Sequence, residues 1–260
     1  MANDKKSIKE IKELLQAEIV DAQILMQLKK DARIGVKKEI ERYEKRLEQI
    51  ILQKKKYEEM LQYEKEFIKQ GYKLIAGIDE VGRGPLAGPV VASAVILKED
   101  SYIPGLDDSK KLSEAKRDYL YEKIIKEAVA IGVGVVGPSV IDEVNIYEAT
   151  KIAMLDAIGK LAVKPEALLL DAMKLSIDLP QESLIKGDQK SVSIAAASII
   201  AKVTRDNMMK EYANTFPQYG FEKHMGYGTK QHLIAIEEYG VLNLHRKSFE
   251  PIKSIVKEDE

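Results

Sequence analysis

The first 70 residues contain one glycine, Gly35, and no proline, whereas residues 71–260 hold the other 15 glycines and all eight prolines. Tight turns draw heavily on these two residue types, so the boundary near residue 70 separates a helical segment from one with frequent chain reversals. Ser7-x-x-Glu10 has the form of a capping box, and Ile8, Ile11, Leu15, Ala22 and Leu25 follow it at helical spacing. After a break at Asp31 to Gly35, steps of four and three run through Val36, Ile40, Tyr43, Leu47, Ile50, Lys54, Tyr57, Leu61, Glu64 and Ile68, eight of the ten apolar. This pattern predicts an α-helical hairpin joined near Gly35, its second arm long enough to project from the body of the protein.

From residue 72 the pattern changes to short apolar runs separated by helical stretches. KLIAGID (73–79), VVASAVIL (90–97), AVAIGVGVV (128–136) and ALLLD (167–171) are continuous rather than alternating, as in strands buried on both faces. Helices are expected from Ser113 to Glu127, Asn145 to Leu161, Ser191 to Asn214 and Thr229 to Tyr239. The organisation is therefore an extension over residues 1–70 and an α/β domain over residues 71–260 whose sheet is flanked by helices. The first ten residues are too charged for a signal peptide, and the longest uncharged run, Ala128 to Ile141, is 14 residues, against about 20 for a spanning helix. A cytoplasmic protein is expected, and the absence of cysteine fits a reducing compartment.

The chain carries 41 Lys+Arg against 42 Asp+Glu, a net charge of −1 that does not advertise a polyanion-binding protein. The total hides a division: residues 1–70 have 17 basic and 14 acidic residues, or +3, and the remainder 24 and 28, or −4. Two readings of the helical extension stand side by side. One is a solvated hairpin that packs on its own domain or on another copy. The other is a basic arm that touches nucleic acid through Lys29, Lys30, Arg33, Lys37 and Lys38.

With no cysteine and three histidines, the chemistry falls to carboxylates, hydroxyls, Lys and Arg, and no HExxH, GxSxG or Walker pattern occurs. Gly82 to Gly88 has the spacing GxGxxxG, one residue too long for a dinucleotide fingerprint, with Pro85 after its second glycine. The acids are more informative. Asp79 and Glu80 end one apolar run, Asp171 ends another, and Asp188 precedes a long helix. Strand C-termini are where α/β sheets bind ligands. Adjacent carboxylates repel unless cations compensate, and oxygen-only donors suit Mg²⁺ or Mn²⁺ better than zinc. Such ions can drive phosphodiester hydrolysis. Acids that merely form turns at strand ends are the plain alternative.

Ala76 to Val90, reading AGIDEVGRGPLAGPV, resembles the signature segment of ribonuclease HII. The resemblance continues through Asp108-Ser109-Lys110-Lys111-Leu112-Ser113, Leu170-Asp171, Lys186-Gly187-Asp188, Ser193 to Asp206 and Gly226-Tyr227-Gly228-Thr229, ending near His245 to Phe249. It implies a ribonuclease H-like mixed sheet, and hydrolysis of the RNA strand of RNA/DNA hybrids with cutting on the 5′ side of ribonucleotides embedded in duplex DNA. The products implied are 3′-hydroxyl and 5′-phosphate ends. It also implies Mn²⁺ or Mg²⁺ held by Asp79, Glu80, Asp171 and Asp188, a Gly82-Arg83-Gly84 loop at the ribose 2′-OH, Ser109 and Lys110 at a phosphate, and Tyr227 against the nucleotide at the RNA-to-DNA junction. Lys186, Lys190, Arg205 and Arg246 are further candidates for substrate-backbone contacts or for balancing the acids, and Lys202 with Asp206 reads as an intrahelical ion pair. The related type HIII has a β-rich first domain, so the helical extension here favours HII. The alternatives are another nuclease of the same fold acting on branched DNA, and a hybrid-binding module without catalysis.

Overall fold

The computed structural model of the protein describes residues 6–17 and 19–258. The chain forms two compact units, Met1–Lys56 and Tyr57–Glu260. Among the described residues no helix is long and apolar enough to cross a membrane.

The first unit contains α1 (Ile8–Leu14), α2 (Ala22–Lys29) and most of α3 (Ile34–Met60). The capping box forms as its spacing predicts, with Ser7 Oγ accepting from the Glu10 N–H and Glu10 accepting from the Ser7 N–H. The expected first arm of the hairpin is two short helices rather than one. Arg46 bonds the carbonyls of Leu15 and Ala17 beyond α1, and Asp21 caps a fresh start by accepting from Gln23 and Ile24. Ile11, Leu15, Val20, Val36, Ile40 and Tyr43 form this unit's core, and the Tyr43 hydroxyl accepts from the Val20 N–H at 3.0 Å. Of the five candidate basic residues, Lys29 pairs with Glu44 at 2.6 Å and Arg33 with Asp31 at 2.7 Å.

The second unit begins in the last turn of α3, followed by α4 (Gln62–Lys69). Its strands are β1 (Ile75–Val81), β2 (Val90–Leu97), β3 (Ala128–Val136), β4 (Ala167–Asp171) and β5 (Gln181–Leu184), in sheet order β3-β2-β1-β4-β5. β1 is antiparallel to β2 and parallel to β4, making the sheet mixed. The short β5 was not expected: Glu182 and Ser183 are polar and exposed, so the segment lacks an apolar run.

The helices are α5 (Glu114–Glu127), α6 (Pro138–Gly159), α7 (Val192–Thr215), α8 (Phe221–His224), α9 (Lys230–Tyr239) and α10 (Ile252–Glu258). Ser113, Ser191 and Thr229 cap α5, α7 and α9 through their hydroxyls. α6 starts earlier than expected, at Pro138. Asn145, at φ +71°, kinks it and caps the second part by accepting from Tyr147 and Glu148.

Alternation along the strands divides the core. Ala76, Ile78, Ala92, Ala94, Leu168 and Leu170 face α6, while Val95 packs with residues of α5 and α7 on the other side. Gly77 sits where a Cβ would run into the Ser193–Ile194 backbone, so its lack of a side chain lets the start of α7 lie directly on β1.

Candidate active site

The sheet register brings two of the acids together. Ile78 pairs with Leu170 across the parallel β1 and β4, and both side chains belong to the α6-side core. The next residues, Asp79 and Asp171, therefore stand side by side on the α7 face, at the C-terminal ends of neighbouring strands. β1 continues past its β4 pairing, with Asp79, Glu80 and Val81 still paired to β2. Glu80 thus remains in the strand and lies beyond the last β4 partner.

Asp171 is oriented by the loop that follows β5: its Oδ1 accepts the Gly187 N–H at 2.7 Å. That bond also fixes the start of the short 3₁₀ turn Gly187–Gln189, which carries Asp188. Lys186, just before it, adopts a left-handed conformation at φ +57°.

The four acids share one electrostatic environment. Burial, then the charges of Glu80 and Asp171, push the Asp79 carboxyl well above its usual range, against the nearby Ser198 hydroxyl and the hydrogen bond from the Glu80 N–H. Burial also raises Glu80; Arg83 opposes the rise and Asp171 adds to it. Asp188 is pushed up to about 6 by burial first, then by Asp108 and Asp171, with Lys110 and Lys111 opposing. Glu80 Oε1 faces Arg83 Nη1 at 3.4 Å, while its Oε2 is buried without a hydrogen-bond partner.

These acids are costly to keep together and are made of the donors a hard divalent cation prefers. The bare Glu80 oxygen fits such an ion. Among the described residues, no group of three or more His, Cys, Asp or Glu side chains already stands in metal-ligating geometry. Like charges have no reason to converge until a cation offsets their repulsion.

The Gly82-Arg83-Gly84 loop leaves β1 directly beside Glu80. Gly82 has φ +91°, and a Cβ there would press into the Arg205 side chain. Arg205 and Arg246, candidates for the substrate-facing surface, are instead wholly buried beneath this loop. Arg205 donates to the carbonyls of Pro89, Met225 and Ala87, and Arg246 to those of Gly82, Arg83 and Gly88. Tyr227 is 44% exposed, and its ring lies over Gly84, with Cε1 3.6 Å from where a Cβ would be.

Lys110 is exposed and within electrostatic reach of Glu80 and Asp188. Its neighbour Ser109 is buried, the hydroxyl accepting from Ser198 at 2.9 Å, so it turns inward under the acids rather than out toward solvent. Lys190 is exposed, and Lys202 pairs with Asp206 at 2.7 Å as expected. Two participants escaped the sequence reading. Asp108 acts on Asp188, and Ser198, on α7, acts on Asp79. A signal for Ser198 existed: it is the lone hydroxyl in the buried run Ile194 to Ala201, where it requires a partner.

Residues 76–252 match the family described as Ribonuclease HII, and residues 7–68 match its N-terminal domain. The chain is 60% identical over 255 residues to ribonuclease HII of Bacillus cytotoxicus, covering 96% of this chain and 97% of that one. It is 61% identical over 254 residues to ribonuclease HII of Bacillus anthracis, covering 97% and 99%. Among solved structures it resembles ribonuclease H2 from Pyrococcus horikoshii, with 27% identity, a TM-score of 0.62, and coverage of 71% of this chain and 97% of that one.

Proposed function

Since the chain belongs to the ribonuclease HII family, we propose that it is an endoribonuclease that hydrolyses the RNA strand of RNA/DNA hybrids and also cuts on the 5′ side of a ribonucleotide embedded in duplex DNA. The observation that carries the site assignment is the β1–β4 register, which sets Asp79 beside Asp171 at adjacent strand ends with the unpartnered Glu80 Oε2 close by.

Asp79 and Asp171 are the principal holders of divalent cations, Mg²⁺ or Mn²⁺, with Glu80 and Asp188 assisting. When bound, the cations supply the positive charge that makes a water nucleophilic and steadies the departing oxygen. Water adds to phosphorus, the bond to the 3′ oxygen of the preceding nucleotide breaks, and that oxygen takes a proton. The products are a 3′-hydroxyl and a 5′-phosphate on the ribonucleotide.

The chain's own residues set which phosphate is attacked. Arg83 and the Gly82 and Gly84 backbone meet the ribose 2′-OH and the adjoining phosphates, where side-chain-free positions permit close approach. Lys110 presents charge to a neighbouring phosphate, and Ser109 supports it from below through Ser198. Tyr227 packs against the nucleotide at the RNA-to-DNA junction.

The test is a defined DNA duplex containing one ribonucleotide, assayed with Mg²⁺, Mn²⁺ or a chelator beside an all-DNA control. Cutting 5′ of the ribonucleotide is expected with either metal and not with chelator. Cleavage of the all-DNA duplex, or turnover in chelator, would contradict the reading.

A further inference from the structure

The three histidines of the chain, His224, His232 and His245, lie together in the interior of the second unit. His232 stacks on His224 with ring centroids 4.5 Å apart, and on His245 at 5.2 Å. Phe221 meets His232 edge-on at 5.4 Å. The acids of the site are elsewhere, and the proposed reaction uses none of these rings.

Their hydrogen bonds determine where each proton must be. His245 Nδ1 accepts the Leu242 N–H at 2.8 Å, so its proton is on Nε2. That Nε2–H points at His232 Nε2, 3.1 Å away, which must then be the acceptor. His232 consequently carries its proton on Nδ1 and donates it to the Tyr227 carbonyl at 2.9 Å. His224 accepts the Gly226 N–H on Nδ1 and donates from Nε2 to the Tyr219 carbonyl. Protonating either member of the His232–His245 pair would set two donors against one another. Burial accordingly holds both well below the ordinary histidine value, at about 4.

The endpoint of this chain of bonds is Tyr227, which sits between two glycines. A Gly-Tyr-Gly segment has little intrinsic preference for one backbone conformation, so something outside it must hold the ring in place. The Tyr227 N–H is held by the His224 carbonyl at 2.9 Å, and the Tyr227 carbonyl by the Thr229 N–H and His232 Nδ1–H. The preceding carbonyl, of Gly226, accepts from Leu86 and Ala87, tying the same turn to the loop that carries Arg83.

We propose that His232, oriented by His245, is a positioning residue that holds Tyr227 over Gly84, in the place where it packs against the substrate nucleotide, and so sets the rate of cleavage at a ribonucleotide. The proposal rests on the reading of Tyr227 as a substrate contact. Backbone displacements of an ångström at a positioning group can reduce rates by up to about a hundredfold, so loss of one buried bond at the Tyr227 carbonyl is felt at the substrate.

Two measurements test it. The first is the ring-nitrogen spectrum of ¹⁵N-histidine-labelled protein at neutral pH, which reads tautomers directly. His232 should be in the Nδ1–H form, with His224 and His245 in the Nε2–H form. An Nε2–H or doubly protonated His232 overturns the proposal whatever the variants do. The second compares His232→Leu, Tyr227→Ala and the double variant on the single-ribonucleotide duplex. Each single change should lower kcat/KM by about tenfold or more, and the double should be no worse than Tyr227→Ala, because the two act through one contact. His232→Asn, whose amide N–H can replace Nδ1–H, should recover most of the loss. Multiplicative losses in the double variant overturn the proposal. Wild-type cleavage by Tyr227→Ala overturns the underlying reading of Tyr227, while the tautomer measurement still reports on the relay itself.

Discussion

Arg246, wholly buried, donates from Nη1 to the backbone carbonyl of Arg83 at 2.9 Å, so one arginine of the chain fixes the main chain of another whose side chain faces the acids. The same guanidinium takes the carbonyls of Gly82 and Gly88. A planar fork can satisfy carbonyls converging from several directions, and an ammonium cannot. Arg246→Lys should therefore destabilise the protein by about 2–4 kcal/mol, seen as a lower denaturation midpoint. It should also weaken cleavage more than the remaining folded fraction explains. A lysine variant with wild-type stability would show that the loop holds its shape without the fork.

Asp171→Asn separates stability from function. Asparagine keeps an oxygen for the Gly187 N–H but removes a charge that raises Asp79, Glu80 and Asp188. In chelator the variant should be as stable as the parent or more stable, by up to about 1 kcal/mol, while cleavage in Mg²⁺ or Mn²⁺ is abolished. Thermal melts beside a cleavage assay decide it; retained turnover would remove Asp171 from the site.

The histidine cluster gives an acid limit with a definite sign. His232 and His245 are near 4 when folded, below the ordinary 6.5. The native state therefore binds fewer protons there than the unfolded chain. Their contribution to stability is complete above about pH 6.5 and is lost as pH falls toward 4. The raised Asp79, Glu80 and Asp188 act in the opposite sense in the absence of metal. The difference between the parent and His232→Asn isolates the part due to His232. That difference in unfolding free energy should shrink between pH 6.5 and 4, and a constant difference would contradict the assignment.

Glu64, on α4, is a buried carboxylate at the start of α7. Its Oε1 accepts from Ser191 Oγ at 2.6 Å, Ser193 Oγ at 2.7 Å and the Ser193 N–H at 3.0 Å. Glu64→Ala leaves these donors without their acceptor and should lower stability by about 2–3 kcal/mol in urea unfolding. Glu64→Gln keeps the acceptor and should recover most of the loss. Equal effects of the two substitutions would mean that side-chain volume, rather than the acceptor, matters at this position.

Glu64 also shows where reading a sequence stops. It fell on a helical stripe of otherwise mostly apolar residues, and spacing alone placed it beside Lys54, which is exposed. Nothing local says that one of the two charges is buried against a pair of serines more than 120 residues away. Short-range features were readable. Ser7, Ser113, Ser191 and Thr229 mark helix starts because a cap hydroxyl needs only the amides two or three residues ahead. β5 and the split between α1 and α2 were not readable, since one depends on pairing with β4 and the other on Arg46 reaching back to distant carbonyls.

By itself the sequence determined the helical start, the runs that become β1 to β4, and the placing of acids where those runs end, because periodicity, capping and turn chemistry act over a few residues. It also carried the motif that identifies the family. Only the tertiary structure decided that Asp79 neighbours Asp171 on the α7 face, that Arg205 and Arg246 lie under the loop rather than on the surface, and that three scattered histidines converge on Tyr227. Those outcomes depend on strand register and on which distant groups share a buried volume, where each polar atom must find its partner in the assembled fold.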